Sequence, residues 1–237
     1  MKAWQLTAST GADALKLTQL PDPHPGPGQV LVRVRATSLN YRDLMVASGR
    51  YGPDVPLPLI PLSDGAGEIA VVGEGGTRWK PGDRVAGTFF QSWLTGPVTR
   101  EVFAKALGGS INGMLAEYVV LSADGVIALP SHLSFEEAAT LPCAALTAWH
   151  ALVTNGKIAA GQTVLVLGTG GVSMFALQFA KMHGARVIIT SSNDDKLARA
   201  RALGADETIN YRTHPEWEQE VVRLTDKAGA DREQKSS

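Results

Sequence analysis

Apolar residues follow two different rhythms along this chain of 237 residues. Over residues 1–122 the rhythm is short and alternating. Between residues 30 and 40, Val30, Val32, Val34 and Ala36 fall on one side, and Leu31, Arg33, Arg35 and Thr37 on the other. A period of two predicts a half-buried strand. The preceding Pro21-Asp-Pro-His-Pro-Gly-Pro-Gly28 lacks the amide donors of a sheet interior and reads as a turn. Further strands are predicted over 3–7, 67–72, 83–87 and 114–122, with Gly and Pro between most of them. A short helix over 42–48 stops at Gly49. This half predicts a small, irregular β-barrel.

The rhythm changes after about residue 123. Ser134-Phe-Glu-Glu137 predicts a capping box and a helix that Pro142 ends, with a second helix over 147–154. Residues 163–167 are continuously apolar, as a strand of a parallel sheet must be. Apolar residues then recur at 172, 175, 176, 179 and 180, the helical period, and Gly184 supplies a C-cap. A second apolar strand is predicted over 186–190, a helix over 195–203 closed by Gly204, and a short strand over 207–210. Thr213-His-Pro-Glu216 reads as another capping box, opening a helix to about Lys227. Residues 163–227 therefore read βαβαβα, which calls for a parallel sheet.

Composition narrows the function classes. Hydrophobic residues are 44% and charged residues 19%, the balance of a globular protein. The 25 glycines and 13 prolines point to many tight turns. A net charge of −1 gives no electrostatic footprint for nucleic acid or an anionic membrane. One cysteine, Cys143, permits neither an internal disulfide nor a four-cysteine zinc site. No apolar run approaches the length of a membrane span, and the N-terminus has no signal core. The expectation is a cytoplasmic protein acting on a small molecule.

The chemistry concentrates in Gly168-Thr-Gly170-Gly171-Val172-Ser173, which follows a predicted strand and opens a predicted helix. That context makes it a dinucleotide fingerprint. Gly168 allows the tight turn, Gly170 lets a pyrophosphate approach the backbone, and the helix start offers free N–H groups. Ser173 stands where the pattern has its third glycine. The end of the second strand carries Ser191, Ser192 and Asn193, where an NAD site places a carboxylate. With Lys196 and Tyr211 near the same edge, NADP fits better than NAD. The plain alternatives are a βα turn whose glycines serve geometry alone, and serines that only start a helix.

Six segments carry a resemblance: VLVRVRATSLNYRD (30–43), GRYGP (49–53), PLSDGAGEI (61–69), KPGDRV (80–85), LPCAALTAW (141–149) and GTGGVS (168–173). In this order they resemble the medium-chain dehydrogenase/reductase superfamily. The resemblance implies a mixed α/β fold: a GroES-like β domain over 1–124 and an NADP-binding Rossmann domain over 125–237, here only its N-terminal half. It implies hydride transfer between NAD(P)H and a carbonyl, alcohol or activated double bond, in a cleft between the domains. It also places Thr147 among the cofactor-binding residues, and makes the full-length relatives homodimers. Where the zinc alcohol dehydrogenase branch has Cys and His-Glu, this chain has Asn40 and Ser63-Asp64. Cys143 is the one surviving ligand of three, and the structural zinc cysteines are absent, so no metal site is expected. SLNYRD and GRYG are similar to the zinc-free quinone oxidoreductase branch. By that likeness Asn40, Tyr41 and Asp43 sit at the nicotinamide end, and Tyr51 lines substrate and nicotinamide. Asp43 has a structural alternative: pairing with Arg42 or capping the helix at 42–48.

The chain departs from the superfamily after Gly229-Ala-Asp231. Residues 231–237 are polar, without a β-branched run, and read as an unrelated tail. The expectation is a sheet of three strands with residues 163–167 as an apolar open edge, through which a truncated chain would associate. The reading is an NADPH-dependent, zinc-independent reductase of quinones, enones or carbonyls. Its rivals are an alcohol dehydrogenase of the zinc type and a catalytically silent nucleotide-binding fragment.

Overall fold

The computed structural model describes residues 1–52 and 55–235. Pro53 of the GRYGP motif lies outside the described residues, as do Ser236 and Ser237 of the C-terminal segment. The chain forms two compact units, Met1–Cys143 and Ala144–Ser237. They part beyond the expected boundary at 124/125, because the segment after it still belongs to the first sheet.

In the first unit, β1 (Lys2–Leu6) and β2 (Leu15–Gln19) form an antiparallel pair. Five more strands form a second antiparallel sheet: β3 (Gln29–Ser38), β4 (Asp64–Val72), β5 (Arg84–Gly87), β6 (Tyr118–Ser122) and β7 (Val126–Ala128). Their order is β6-β3-β4-β5-β7, so β6 and β7 are edges and the sheet does not close on itself as a barrel. Val30 and Val32 of β3 are buried in the core with Ile69, Val85, Leu107, Met114 and Leu121, but the alternation of the strand breaks at Leu31, which is buried as well. Irregularities at Leu31/Val32 and Val34/Ala36 shift its register against β4. Gly67 permits that pairing: a Cβ there would stand 2.1 Å from the Arg33 carbonyl oxygen.

The helix expected at 42–48 is α1 (Tyr41–Ala47), followed by an unforeseen short α2 (Arg100–Phe103). α3 (Phe135–Ala139) starts with the expected capping box: Ser134 Oγ accepts from the Glu137 amide, and Glu137 accepts from the Ser134 amide. Pro142 does not end this helix. α3 stops at Thr140, and Pro142 lies inside a π-helical segment, Leu141–Ala145. At the start of a helical segment the missing N–H costs nothing, since the first amides lack partners anyway. α4 (Leu146–Trp149) and a π-helical stretch, His150–Asn155, follow.

The second unit is a parallel sheet. Its strands are β8 (Thr163–Leu167), β9 (Arg186–Ser191), β10 (Glu207–Asn210) and β11 (Arg232–Lys235), in the order β10-β9-β8-β11. α5 (Gly171–Met182), α6 (Asp194–Ala202) and α7 (Trp217–Leu224) connect them. Alternate strand residues face opposite layers. Val164, Val166, Val187 and Ile189 pack with Ala176, Leu177 and Ala180 of α5 and Leu197 and Ala200 of α6. Leu165, Ile188 and Ile209 pack with Val221 of α7 on the other face. The capping box expected at Thr213 does not form. The Thr213 hydroxyl donates to the Asn210 carbonyl, and α7 begins at Trp217 with no side-chain cap.

The tail expectation is overturned. β11 pairs parallel with β8, Arg232 opposite Val164 and Lys235 opposite Leu167. Strand pairing uses backbone groups, and an outer strand tolerates polar side chains. The Asp231 carboxylate accepts the Thr163 amide at 2.8 Å, and the Asp231 amide donates to the Thr163 carbonyl. Arg232 Nε reaches the Gly156 carbonyl at 2.7 Å. β8 is thus an inner strand, not an open edge. Among the described residues, no helix is long and apolar enough to cross a membrane.

Candidate functional site

In the first unit the candidate residues gather where β3 runs into α1. Asn40 is extended, with φ −120° and ψ 155°, and caps α1. Asp43 Oδ2 accepts the Asn40 amide at 2.8 Å, and Asp43 Oδ1 lies 3.3 Å from Arg42 Nη1. Both structural alternatives for Asp43, capping and pairing, are therefore realised. A second turn brings Ser63 and Asp64 to the same place. Leu62, just before them, is buried with φ +70°, a left-handed backbone that a branched side chain rarely adopts. Ser63 and Asp64 are fully buried. The Ser63 hydroxyl donates to Asp64 Oδ1 at 2.7 Å, and the Cys143 amide donates to Asp64 Oδ2 at 3.0 Å. The Asn40 carboxamide faces Asp64, yet its Nδ2 is buried without a hydrogen-bond partner of good geometry.

Burial dominates the electrostatics of this cluster. It raises the Asp64 carboxyl above its usual range, against the opposing hydrogen bonds of Ser63, Asn40 and Cys143. It raises Asp43 as well, against the Asn40 amide and Arg42. The Cys143 thiol is pushed up to about 12, by burial first and by Asp64 second. Tyr51 is half-buried against Leu6, Val46 and Leu59, with its ring 4.6 Å from the Arg42 guanidinium carbon. Tyr41 is 57% exposed and does not join the buried group.

These donors do not fit a catalytic zinc. Such an ion needs three protein ligands and an open position. Here Cys143 and Asp64 meet beside an amide and a hydroxyl, and no group of three or more His, Cys, Asp or Glu is placed to hold a metal among the described residues.

In the second unit the glycine turn does what its spacing requires. Gly168 has φ +81°, and its amide donates to Thr190 Oγ1 at 3.2 Å. Gly170 is the N-cap of α5 with no side-chain cap, and Gly170 and Gly171 are both exposed. A helix start left bare by its own side chains suits a pyrophosphate. Val172 packs on the core, and the buried Ser173 hydroxyl donates to the Leu167 carbonyl at 3.1 Å, tying helix to strand. The residues present therefore fit a dinucleotide.

At the end of β9 the residues separate. Ser191 is buried, and its hydroxyl shares a hydrogen bond of 3.0 Å with Thr169. Asn193 caps α6, accepting the Lys196 amide at 2.9 Å. Ser192 is half-buried, Lys196 is exposed and Tyr211 is 42% exposed. Thr147 is an exposed residue of α4. Thr169 and Thr190 escaped the sequence reading. The signal available for them was a hydroxyl inside the glycine turn and another at the penultimate position of the adjacent strand.

Known proteins match this chain in both units. Residues 26–131 match the alcohol dehydrogenase GroES-like domain, and residues 171–232 match the zinc-binding dehydrogenase family. A zinc-type alcohol dehydrogenase-like protein of Schizosaccharomyces pombe is 47% identical over 93% of this chain and 64% of its own length. A quinone oxidoreductase of Pseudomonas aeruginosa is 36% identical over 95% of this chain and 63% of its own. The chain thus spans just under two thirds of the length of these relatives. The crystal structure of an NAD-dependent alcohol dehydrogenase superposes with a TM-score of 0.89 at 42% identity, covering 98% of this chain and 70% of that one. On these similarities the chain belongs to the medium-chain dehydrogenase/reductase superfamily.

Proposed function

We propose that the chain carries the cofactor-binding turn and the carbonyl-polarising residues of an NADPH-dependent oxidoreductase that reduces a quinone, enone or carbonyl without zinc. The observation that carries this reading is the donor set beside Cys143. The Asp64 carboxylate is taken up by the Ser63 hydroxyl and the Cys143 amide, and among the described residues no group of three His, Cys, Asp or Glu is placed to hold a metal. What this set offers instead is hydrogen-bond donors. The Asn40 carboxamide, turned towards the Asp64 carboxyl, is one such donor. Negative charge developing on a carbonyl oxygen is stabilised by such fixed donors. Tyr51 supplies a second donor, its hydroxyl, and Asp43 holds the first turn of α1 that presents Asn40.

NADPH supplies the hydride when bound. Gly168, Gly170 and Gly171 leave the start of α5 open to its pyrophosphate. Ser192 and Lys196 would hold the 2′-phosphate, beside Ser191, whose hydroxyl is bonded to Thr169. The absence of a carboxylate at 191–193 supports NADP over NAD. The likeness to the Pseudomonas aeruginosa quinone oxidoreductase supports the acceptor class.

The test is NADPH oxidation with phenanthrenequinone, together with elemental analysis of protein purified without chelator. Turnover with far less than one zinc per chain is expected. Activity that requires stoichiometric zinc, lost in Cys143→Ser, would replace this reading with a zinc-type alcohol dehydrogenase.

A further inference from the structure

Arg42 is the cation at the centre of the first-unit cluster, and the reading above gives it no task. Its side chain is 10% exposed. Nη1 donates to the Gly108 carbonyl at 3.1 Å and lies 3.3 Å from the Asp43 carboxylate. Nε and Nη2 are buried and have no hydrogen-bond partner among the described residues. A buried guanidinium with two orphaned donors is costly unless something else stabilises it. Two aromatic rings do: its central carbon lies 4.6 Å from the Tyr51 ring centroid and 4.8 Å from that of Phe89. Both distances are within cation–π range. The backbone also makes room for it. A Cβ at Gly109 would come within 2.3 Å of Arg42 Nη2 and 3.3 Å of Tyr51 Cε1.

We propose that Arg42 is a positioning residue that fixes the Tyr51 ring, and hence the Tyr51 hydroxyl, against α1. Arg42 and Asn40 lie in one turn of chain, and Tyr51 comes from the segment after α1. The guanidinium spans that gap, gripping the ring by its face while Asp43 and Gly108 hold its other end. The face contact leaves the hydroxyl at the ring edge free for a ligand. An ammonium could supply charge but not the flat stacking surface. The proposal rests on the reading of Tyr51 as a donor to the substrate, and its test separates the two.

The test uses the full chain in the backgrounds of wild-type Tyr51 and Tyr51→Phe, each with Arg42→Met and Arg42→Lys. The first readout is kcat/KM for phenanthrenequinone. If Arg42 acts by placing the hydroxyl, Arg42→Met lowers kcat/KM about tenfold when the hydroxyl is present and much less when it is absent. Arg42→Lys recovers only part of the loss. Equal losses in both backgrounds would mean that Arg42 is merely structural, and would overturn the proposal. The second readout needs no turnover. With four tyrosines in the chain, selectively labelled tyrosine resonances are few, and Tyr51→Phe identifies the one from Tyr51. Its ring resonances should move in Arg42→Met and its ring flips should quicken. Unchanged Tyr51 resonances would overturn the clamp whether or not the protein turns over. A moved ring in a protein that reduces no quinone would uphold the clamp and sink the reading of function. Arg42→Met leaves the buried Asp43 carboxyl without its cation, so thermal unfolding checks that the variant folds, and Arg42→Lys, which keeps the charge, carries the same comparison of backgrounds if it does not.

Discussion

The backbone amide of Cys143 donates to the Asp64 carboxylate across 79 residues of sequence. Two positions that resemble metal ligands in zinc-dependent relatives are thereby joined through the main chain of one, leaving the thiol out of that bond. The thiol's elevated pKa, about 12, keeps it neutral at any ordinary pH. Native protein should therefore react very slowly with iodoacetamide at pH 8, and denatured protein quickly. Rapid modification of the native, half-buried thiol would contradict its raised pKa.

Asp64 and Asp43 have the opposite linkage to a salt-bridged carboxylate. Burial raises both above the usual range in the folded chain. The folded state then binds protons more tightly than the unfolded one. Their contribution to stability is fully present below the ordinary carboxylate range and is lost as pH rises through the folded values. Asp64→Asn removes one such titration. Its thermal midpoint relative to wild type should shift in the variant's favour between pH 4 and pH 7. A difference that stays constant with pH would show that Asp64 titrates normally.

The turn that delivers Ser63 and Asp64 is sensitive to its glycine neighbours. A Cβ on Gly113 would lie 2.0 Å from the Leu62 carbonyl oxygen, a backbone atom that cannot step aside. Gly113→Ala should cost about 1–3 kcal/mol of stability. Denaturant unfolding measures it, and a loss below about 0.5 kcal/mol, the range of a neutral surface change, would count against this packing.

Cofactor choice should follow the end of β9. A hydrogen bond to a charged group contributes about 1.5–3 kcal/mol, so one contact to the 2′-phosphate gives NADPH an advantage over NADH of about ten- to a hundredfold. Fluorescence titration of the two cofactors reads it directly. Lys196→Ala should narrow the ratio, and Ser191→Asp should invert it by setting a like charge beside the phosphate. Equal affinities in the unaltered chain would reduce these residues to a helix start.

Much of this was legible in the residues, for reasons that differ by element. β8 and β10 were read to the residue because parallel, buried strands leave uninterrupted apolar runs or sharp turn boundaries. The glycine turn was legible because tight backbone geometry admits few side chains. β11 was not, since its pairing is written in main-chain groups and its side chains are those of an ordinary loop. β2 and β7 escaped for a related reason: they are outer strands with few buried positions. In the candidate site, only the resemblance points to Asn40 and Tyr51, and the residues offer Asp43 two structural roles, both of which it fills. The bond from Thr169 to Ser191 was out of reach, because it joins residues 22 apart whose contact only the strand pairing creates.

The place of β11 also sets an order of events for a growing chain. The Asp231–Thr163 bonds close a loop of 68 residues, so β8 is made long before the strand that flanks it. At a synthesis rate of about 5–20 residues per second, roughly 3 to 14 s pass before that flank can emerge. During this interval β9 and α5 can already dock on β8, but its other side stays unzipped. β11 acts as a late latch on β8, after β9 and β10 have joined in the order they are translated.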